Sequence, residues 1–596
     1  MNTAILRPGH CAAGARLTRG LFPLVVFAVS LAARLASLAF LLRTPFANSP
    51  ILDAQRYFDL ARAILSGTAP QGAFLYEPLY PYLQALLFTA TGVDFRSLLI
   101  CHALITSFGA LLAYFVLREH LSERWSLAGA LLYALYPPLL FLDVLPLKEP
   151  LVNLLLLGVL RLLQRSIRYG SWRRLFPAGL LLGSILLLRE NLVVLLPFLA
   201  LAFVAAAGPA RVALRGIVAL LLGTAIIVLP VTVRNCLVGG DCVLIAASGG
   251  PNLYLAFHDG ARGDTYTKPP FLRSGPAQLT EDFVAEAARR LGRAVDPGES
   301  SRYWMRQAVA WVARHPGRTA ELLVQRLWTS FGSEEISDNY PYTLFRRVNP
   351  LLGANPLSFA LLFSLGPVGW WVVRRDRRTL LYPAVFLGTW AAFVPFWTLD
   401  RFRLPVVLPL VAGALFALRE LAARSGAGEW RRAAALVVAA GVLLAISLPA
   451  RFDERRRSEA VSLGWARGAQ LLIATGRIQE AAAYLAQARR EPFSLPEVDF
   501  IAACYYTVAG NSGTAFAELA RFRAVRKDNE DAEILAALLL AERGARPAAR
   551  AVLEEYLTVN PRSRAARDAL ANLVQEVEPP PRPSITRPVP PPRVAD

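Results

Sequence analysis

The sequence is short of charge, of lysine and of cysteine. Charged residues make up 18% of the 596, against about 25% in a soluble chain, while 55% are apolar and the mean hydropathy is +0.40. That balance excludes a string of soluble domains, because the apolar residues gather in long runs over the first three quarters. The same runs exclude disorder and collagen, and five cysteines in this length exclude a disulfide-stapled secreted mini-domain. Lysine is nearly absent: all but three of the 64 basic residues are arginine, the exceptions being Lys148, Lys268 and Lys527. Most arginines flank apolar runs, where the positive-inside rule expects them. The net charge of +20 is therefore topological, and nucleic acid is excluded as the partner.

Eleven apolar windows approach or reach the length needed to cross about 30 Å of hydrocarbon. They fall near 21–42, 98–117, 125–142, 147–164, 175–188, 191–207, 213–233, 357–373, 380–398, 404–420 and 432–449. The apolar stretch 78–92 is proline-broken and reads as an element at the membrane surface. Arginine bias puts the N-terminus in the cytoplasm and residues 43–97, 143–146, 234–356 and all after 450 outside. Residues 21–42 are too long for a signal h-region and lack a small-x-small cleavage site, so they read as an uncleaved first span. Cys236 and Cys242 lie outside on this topology, where a disulfide is permitted; two free thiols fit the sequence equally.

From about 455 the chain turns rich in alanine, arginine and glutamate. ATGRIQEAAAYL, VAGNSGTAFAEL and AERGARPAARAVL align, with Gly476, Gly510 and Gly544 spaced by 34 residues. Ala481, Ala515 and Ala549 repeat at the same period, as do Leu485, Leu519 and Leu553. A helix-turn-helix unit of 34 residues is the tetratricopeptide period, in which stacked neighbours bury a face that one unit cannot bury alone. The expected fold is all-α: a polytopic bundle of about eleven spans followed by an α-solenoid. Its divisions are a cytoplasmic segment 1–20, a membrane module 21–233, an outer loop 234–356, further spans 357–450, repeats 455–577 and a proline-rich tail 578–596.

Ionisable residues at a membrane face are costly to place and default to function. The first outer loop reads ILDAQRYFDLARAILSG and then FLYEPLYPYLQALLF. Asp53 is either the cap of an amphipathic helix or a functional acid. Glu77 stands before a proline run, and ALYPPLLFLDVLPLKEPL brings Asp143, Lys148 and Glu149 to the same face. Arg34 is the one strong charge deep in an apolar run, suited to a buried pair, and Arg189 has Glu190 beside it as a simple ion-pair partner. In the outer loop, a stretch from Tyr303 to Phe331 with Trp304, Trp311 and Trp328 reads as a helix lying at the bilayer surface. His258 reads as structural and His315 as a helix-ending turn, since no second His or Cys is spaced for a shared metal.

Asp53, Tyr57, Ala61 and Gly67 form D-x3-Y-x3-A-x5-G, followed by EPLYP, ALYPPLLFLDVLPLKEPL, LPVTVRN, SGGPNLYLAF, WVARHPGRTAELL and DRFRLPVVLPL. In this order the motifs, over roughly residues 20–450, resemble the polyprenyl-phosphate-dependent glycosyltransferases of the GT-C superfold. Within that group the chain is similar to bacterial relatives of protein O-mannosyltransferases and aminoarabinose transferases. The resemblance implies inverting transfer of a hexosyl or pentosyl group on the outer face, from a lipid-linked sugar phosphate to a protein, lipid or glycan acceptor. It implies Asp53 as the base that deprotonates the acceptor, Glu77 as an organising acid and Asp143 as the nearest match to a second acidic position. The second loop lacks a D-x-D pair, which puts an oligosaccharyltransferase-like metal requirement in question and leaves a divalent ion open. A polyprenyl phosphate leaving group needs fixed cations, for which Arg401, Arg403, Lys148 and Arg234 are the candidates. The implied location is the bacterial inner membrane, with the repeats outside to hold an acceptor or protein partner. The competing readings are a transporter or flippase, which would also need intramembrane charge, and an envelope assembly scaffold, for which one or two spans would suffice.

Overall fold

The computed structural model describes residues 14–574 apart from 70, 264–266, 270, 273–278, 449–453, 527–528 and 562. The proline-rich tail and most of the N-terminal segment lie outside the described residues. Within them the regular elements are helices, with no strand, so the expected all-α class is observed.

Among the described residues six helices are long and apolar enough to cross a membrane: Leu21–Leu41, Phe95–Leu117, Glu149–Tyr169, Ala210–Leu237, Asp400–Gly426 and Trp430–Ser447. The other five windows fall on shorter helices. The window 125–142 is divided between Glu123–Ala134 and Pro137–Leu142, and the remaining four correspond to Leu175–Leu188, Leu195–Ala206, Phe359–Val372 and Leu381–Phe393. Local chemistry sets several ends. Asp94 caps Phe95–Leu117 by accepting from the N–H groups of Arg96 and Ser97. Glu149 and Pro150 open the helix Glu149–Tyr169, where a carboxylate favours the helix dipole and proline loses no hydrogen bond.

Without a hydrophobic drive between helices in lipid, close approach depends on small residues. Leu175–Leu188 crosses Ala210–Leu237 at Gly179 and Gly223; a Cβ on Gly179 would overlap the Leu220 carbonyl and one on Gly223 that of Phe176. Phe359–Val372 meets the helix Leu404–Gly426 in the same manner, with Gly366 and Gly369 against Gly413. Arg34 is fully buried in the first span. It donates to Asp143 Oδ2 through Nε (3.0 Å) and Nη2 (2.5 Å), and to Ser30 Oγ at 2.7 Å.

Cys236 and Cys242 form a disulfide at the C-terminal end of Ala210–Leu237, which resolves the alternative left by the sequence. The tryptophan-bearing stretch is two helices, Pro297–Arg314 and Pro316–Phe331, and His315 ends the first of them as expected. Trp304 is fully buried, stacks with Phe271 at 5.1 Å and donates to the Phe283 carbonyl at 2.9 Å. Trp311 is also buried, and of the three only Trp328 faces outward. The sequence period could not tell these faces apart, because both sides of the pair carry large apolar residues.

The C-terminal unit is a run of helices from Glu454–Ala474 to Arg564–Val574. Gly476, Gly510 and Gly544 adopt φ of 74°, 78° and 79° in three equivalent turns, a conformation glycine takes without a Cβ clash. Ala481, Ala515 and Ala549 are all fully buried, as the small residues at one recurring helix contact should be.

Candidate functional site

Four chain segments meet on one face of the bundle. The helix Leu52–Leu65 brings Asp53 in its first turn, and the turn before Glu149–Tyr169 brings Lys148 and Glu149. A strap over 332–341 brings Asp338 and Asn339, and the short helix Asp400–Arg403 brings Arg401. Asp53 is not the helix cap. Ile51 holds that place without a side-chain bond, and Leu52 adopts φ of 50°, the one non-glycine with positive φ among the described residues. Backbone in this region is strained for an ordinary side chain and gathers at functional sites.

Asp53 is fixed from three directions. Its Oδ2 lies 2.9 Å from Arg401 Nη1 and accepts from Asn339 Nδ2 at 3.1 Å, and its own N–H donates to Asn339 Oδ1 at 3.0 Å. Arg56 stands 3.6 Å from Oδ1. Burial works to raise this carboxyl, but Arg401, Arg56 and the Asn339 bond outweigh it and hold Asp53 far below the usual carboxylate range.

Arg401 is the hub. It also reaches Asp338 Oδ2 at 2.6 Å and Glu149 Oε1 at 3.2 Å. Glu149 Oε1 takes a second arginine, Arg189, so that arginine pairs with Glu149 and not with its neighbour Glu190. Glu149 Oε2 is buried with no protein partner. Beside this group, Lys148 Nζ donates to Glu77 Oε2 at 2.7 Å and lies 5.6 Å from the centre of the Tyr57 ring. Burial would raise the Glu77 carboxyl, yet Lys148 and then Arg189 keep it below its ordinary value. Four carboxylates, Asp53, Glu77, Glu149 and Asp338, thus face four cations, Arg56, Lys148, Arg189 and Arg401.

The other expected residues are engaged elsewhere. Asp143 is locked to Arg34, a bond that ties the helix Leu21–Leu41 to the turn before Glu149–Tyr169. Arg403 donates to the carbonyls of Thr329, Gly332 and Glu334 at 2.9–3.1 Å and to Glu335 at 3.3 Å, so it builds the strap. Arg234 lies over the Phe74 ring and donates to the carbonyls of Gly72 and Gln71, pinning the loop before Glu77. Asn235 completes that pin, accepting from Phe74 N–H at 3.0 Å and donating to the Ile245 carbonyl at 3.0 Å. Asp400 holds the strap as well, accepting from Ser337 Oγ at 2.5 Å.

Asp338, Asn339 and Glu149 are functional candidates to which the sequence motifs assign no role. The signal for the first two was the acidic run SEEISDNYPY in the long loop before the apolar window 357–373; Glu149 stood one residue from Lys148. As to a metal, no group of three or more His, Cys, Asp or Glu side chains suited to an ion occurs among the described residues. Asp53, Glu77, Glu149 and Asp338 each already pair with an arginine or lysine, so this donor set does not fit a divalent ion, which prefers uncommitted oxygen ligands.

Residues 73–234 match the family described as Dolichyl-phosphate-mannose-protein mannosyltransferase. The resemblance to GT-C glycosyltransferases is borne out. The match supports a membrane glycosyltransferase of this type, and its range holds Glu77, Asp143, Lys148, Glu149, Arg189 and Arg234, while Asp53, Asp338 and Arg401 lie outside it. No curated protein matches the chain. Among solved structures the chain is similar to the Archaeoglobus fulgidus oligosaccharyltransferase in the apo form, at 13% identity and a TM-score of 0.38, covering 75% of this chain and 58% of that one. It is also similar to the archaeal oligosaccharyltransferase AglB from the same organism in complex with an inhibitory peptide and a dolichol-phosphate, at 15% identity and a TM-score of 0.34, covering 78% and 60%. The chain spans about three fifths of the length of these structures.

Proposed function

We propose that this chain transfers a sugar from a polyprenyl-phosphate donor to a hydroxyl or amine acceptor on the outer face of a bacterial inner membrane. The observation that carries the reading is the partly buried, ionised Asp53 against Arg401, with Lys148 and Glu77 alongside, where the ends of several helices meet.

In this reading Asp53 accepts the proton of the acceptor, whose freed lone pair forms a bond to the anomeric carbon of the sugar. The bond from that carbon to the phosphate oxygen breaks, its electron pair stays on oxygen, and polyprenyl phosphate leaves with the anomeric configuration inverted. The charge that develops on the leaving oxygen is met by Arg401 and Lys148, fixed cations in a water-poor site. An anion arriving at Arg401 also draws that guanidinium away from Asp53, which makes the carboxylate a stronger base when the donor is bound. Glu77 keeps Lys148 oriented, and Glu149 does the same for Arg401. Arg403, Arg234 and Asp143 hold the scaffold. The N-terminus lies in the cytoplasm and the C-terminal helices outside, where their 34-residue, tetratricopeptide-like repeats hold an acceptor or protein partner.

The test is transfer by purified protein from a panel of radiolabelled polyprenyl-phosphate sugars, with and without chelator. An inverted product, formed at a rate chelator changes by less than about twofold, is expected. A retained anomer, or a rate abolished by chelator and restored by a divalent ion, contradicts the mechanism.

A further inference from the structure

The strap that brings Asp338 and Asn339 to the site is also the seat of the C-terminal unit. Gly464, on the first helix of that unit, lies so close to the strap's continuation that a Cβ there would come within 3.0 Å of the Cβ atoms of both Pro341 and Leu344. Nearby Gly468 packs on Tyr484 of its own unit and lies in van der Waals reach of Phe46, whose ring packs on Tyr340 at 6.3 Å and Phe345 at 5.5 Å. Ion pairs close both ends of this contact, Arg457 with Glu334 and Arg347 with Glu491. Between them, Arg467 reaches inward and donates to the Asn339 carbonyl at 3.4 Å.

Asn339 is the residue whose amide grips Asp53 at both its N–H and its Oδ2. A line of contact therefore runs from the C-terminal helices through Arg467 and Asn339 to the carboxylate. The membrane module supplies Arg401 to that carboxylate, but the backbone of Asn339 is braced by the other unit.

We propose that the C-terminal helical unit is a working part of the transfer site, with Arg467 as the positioning residue that orients Asp53 through Asn339. The proposal rests on Asp53 as the base. A reacting group displaced by about 1 Å loses on the order of a hundredfold in rate, so a brace of this kind acts on turnover more than on donor binding. It also explains why glycine occupies 464: a side chain there would lift the helix from the strap.

The first test uses the full chain carrying Gly464→Leu. The added side chain should lift the helix from the strap and lower kcat at least tenfold with KM for the donor within about twofold; wild-type kcat overturns the proposal. The second compares Arg467→Ala with Arg467→Lys. The alanine variant should lose at least tenfold in kcat with KM for the donor within about twofold, and lysine should recover most of that loss. Wild-type kcat in Arg467→Ala overturns it. Should the wild-type chain transfer no sugar at all, the reading of Asp53 as base fails, while the brace is still read by chemical labelling of carboxylates. Arg467→Ala should raise labelling of Asp53 severalfold in the full chain, and unchanged labelling refutes the brace.

Discussion

At Asp53 a partly exposed carboxylate sits between two arginines and an asparagine, while Asp143, more deeply buried, has a single arginine for company. The two acids look alike in the sequence, each at the outer end of an apolar run, but their partners give them different work. Arg34 and Asp143 form a closed pair, so removing one charge leaves the other buried and unpaired, at a cost of about 3–5 kcal/mol. Asp143→Asn should therefore lower the melting temperature of the detergent-purified protein clearly, while the folded fraction keeps its turnover within a few fold. A normal melting temperature with turnover reduced a hundredfold would make Asp143 a reacting group instead. Asp53, Glu77, Lys148 and Arg401 were legible because charge beside hydrocarbon stands out in any sequence. Asp338 and Asn339 were not, since 286 residues separate Asn339 from the Asp53 it holds and no period links them. Arg403 and Arg234 were legible as arginines, but their carbonyl partners exist only in the folded chain.

Elements in this protein are placed by what is small as much as by what is apolar. Hydropathy locates the membrane windows, and the 34-residue spacing of glycines locates the C-terminal turns. Hydropathy does not reveal that five windows hold helices of 14 residues or fewer, because an apolar residue reads the same in a short helix packed among others as in a full span. Nor does it give the inward faces of Trp304 and Trp311, which depend on packing against Tyr254, Phe257, Phe271 and Phe283. The crossing of Phe359–Val372 with Leu404–Gly426 rests on Gly366, Gly369 and Gly413 in direct backbone contact. Gly413→Leu must separate these helices, and overpacking of this sort costs about 1–3 kcal/mol. Because Leu404–Gly426 begins next to Arg401, the variant should show both a lower melting temperature and weaker transfer. A variant of unchanged stability would show that the two helices do not depend on that contact.

Across the whole molecule, the ends of distant helices are gathered by charge. Lys148 joins Glu77, Glu149 joins Arg189 and Arg401, Tyr136 donates to Glu335, and Arg403 collects the strap. One sequence motif, YPPLLFLDVLPLKEP, thereby touches five separate parts of the chain, Arg34 through Asp143 included, and the helices beyond 454 rest on the strap so formed. Such an assembly gathers the site on one face of the bundle, the face that arginine bias predicts to be external. The most direct measurement is transfer of labelled sugar from a polyprenyl-phosphate donor in right-side-out and inverted membrane vesicles, wild type beside Asp53→Asn. Wild-type activity with donor presented at the outer face, reduced at least a hundredfold in Asp53→Asn at equal protein level, is the predicted result. Full activity in Asp53→Asn, or transfer only at the cytoplasmic face, would contradict it.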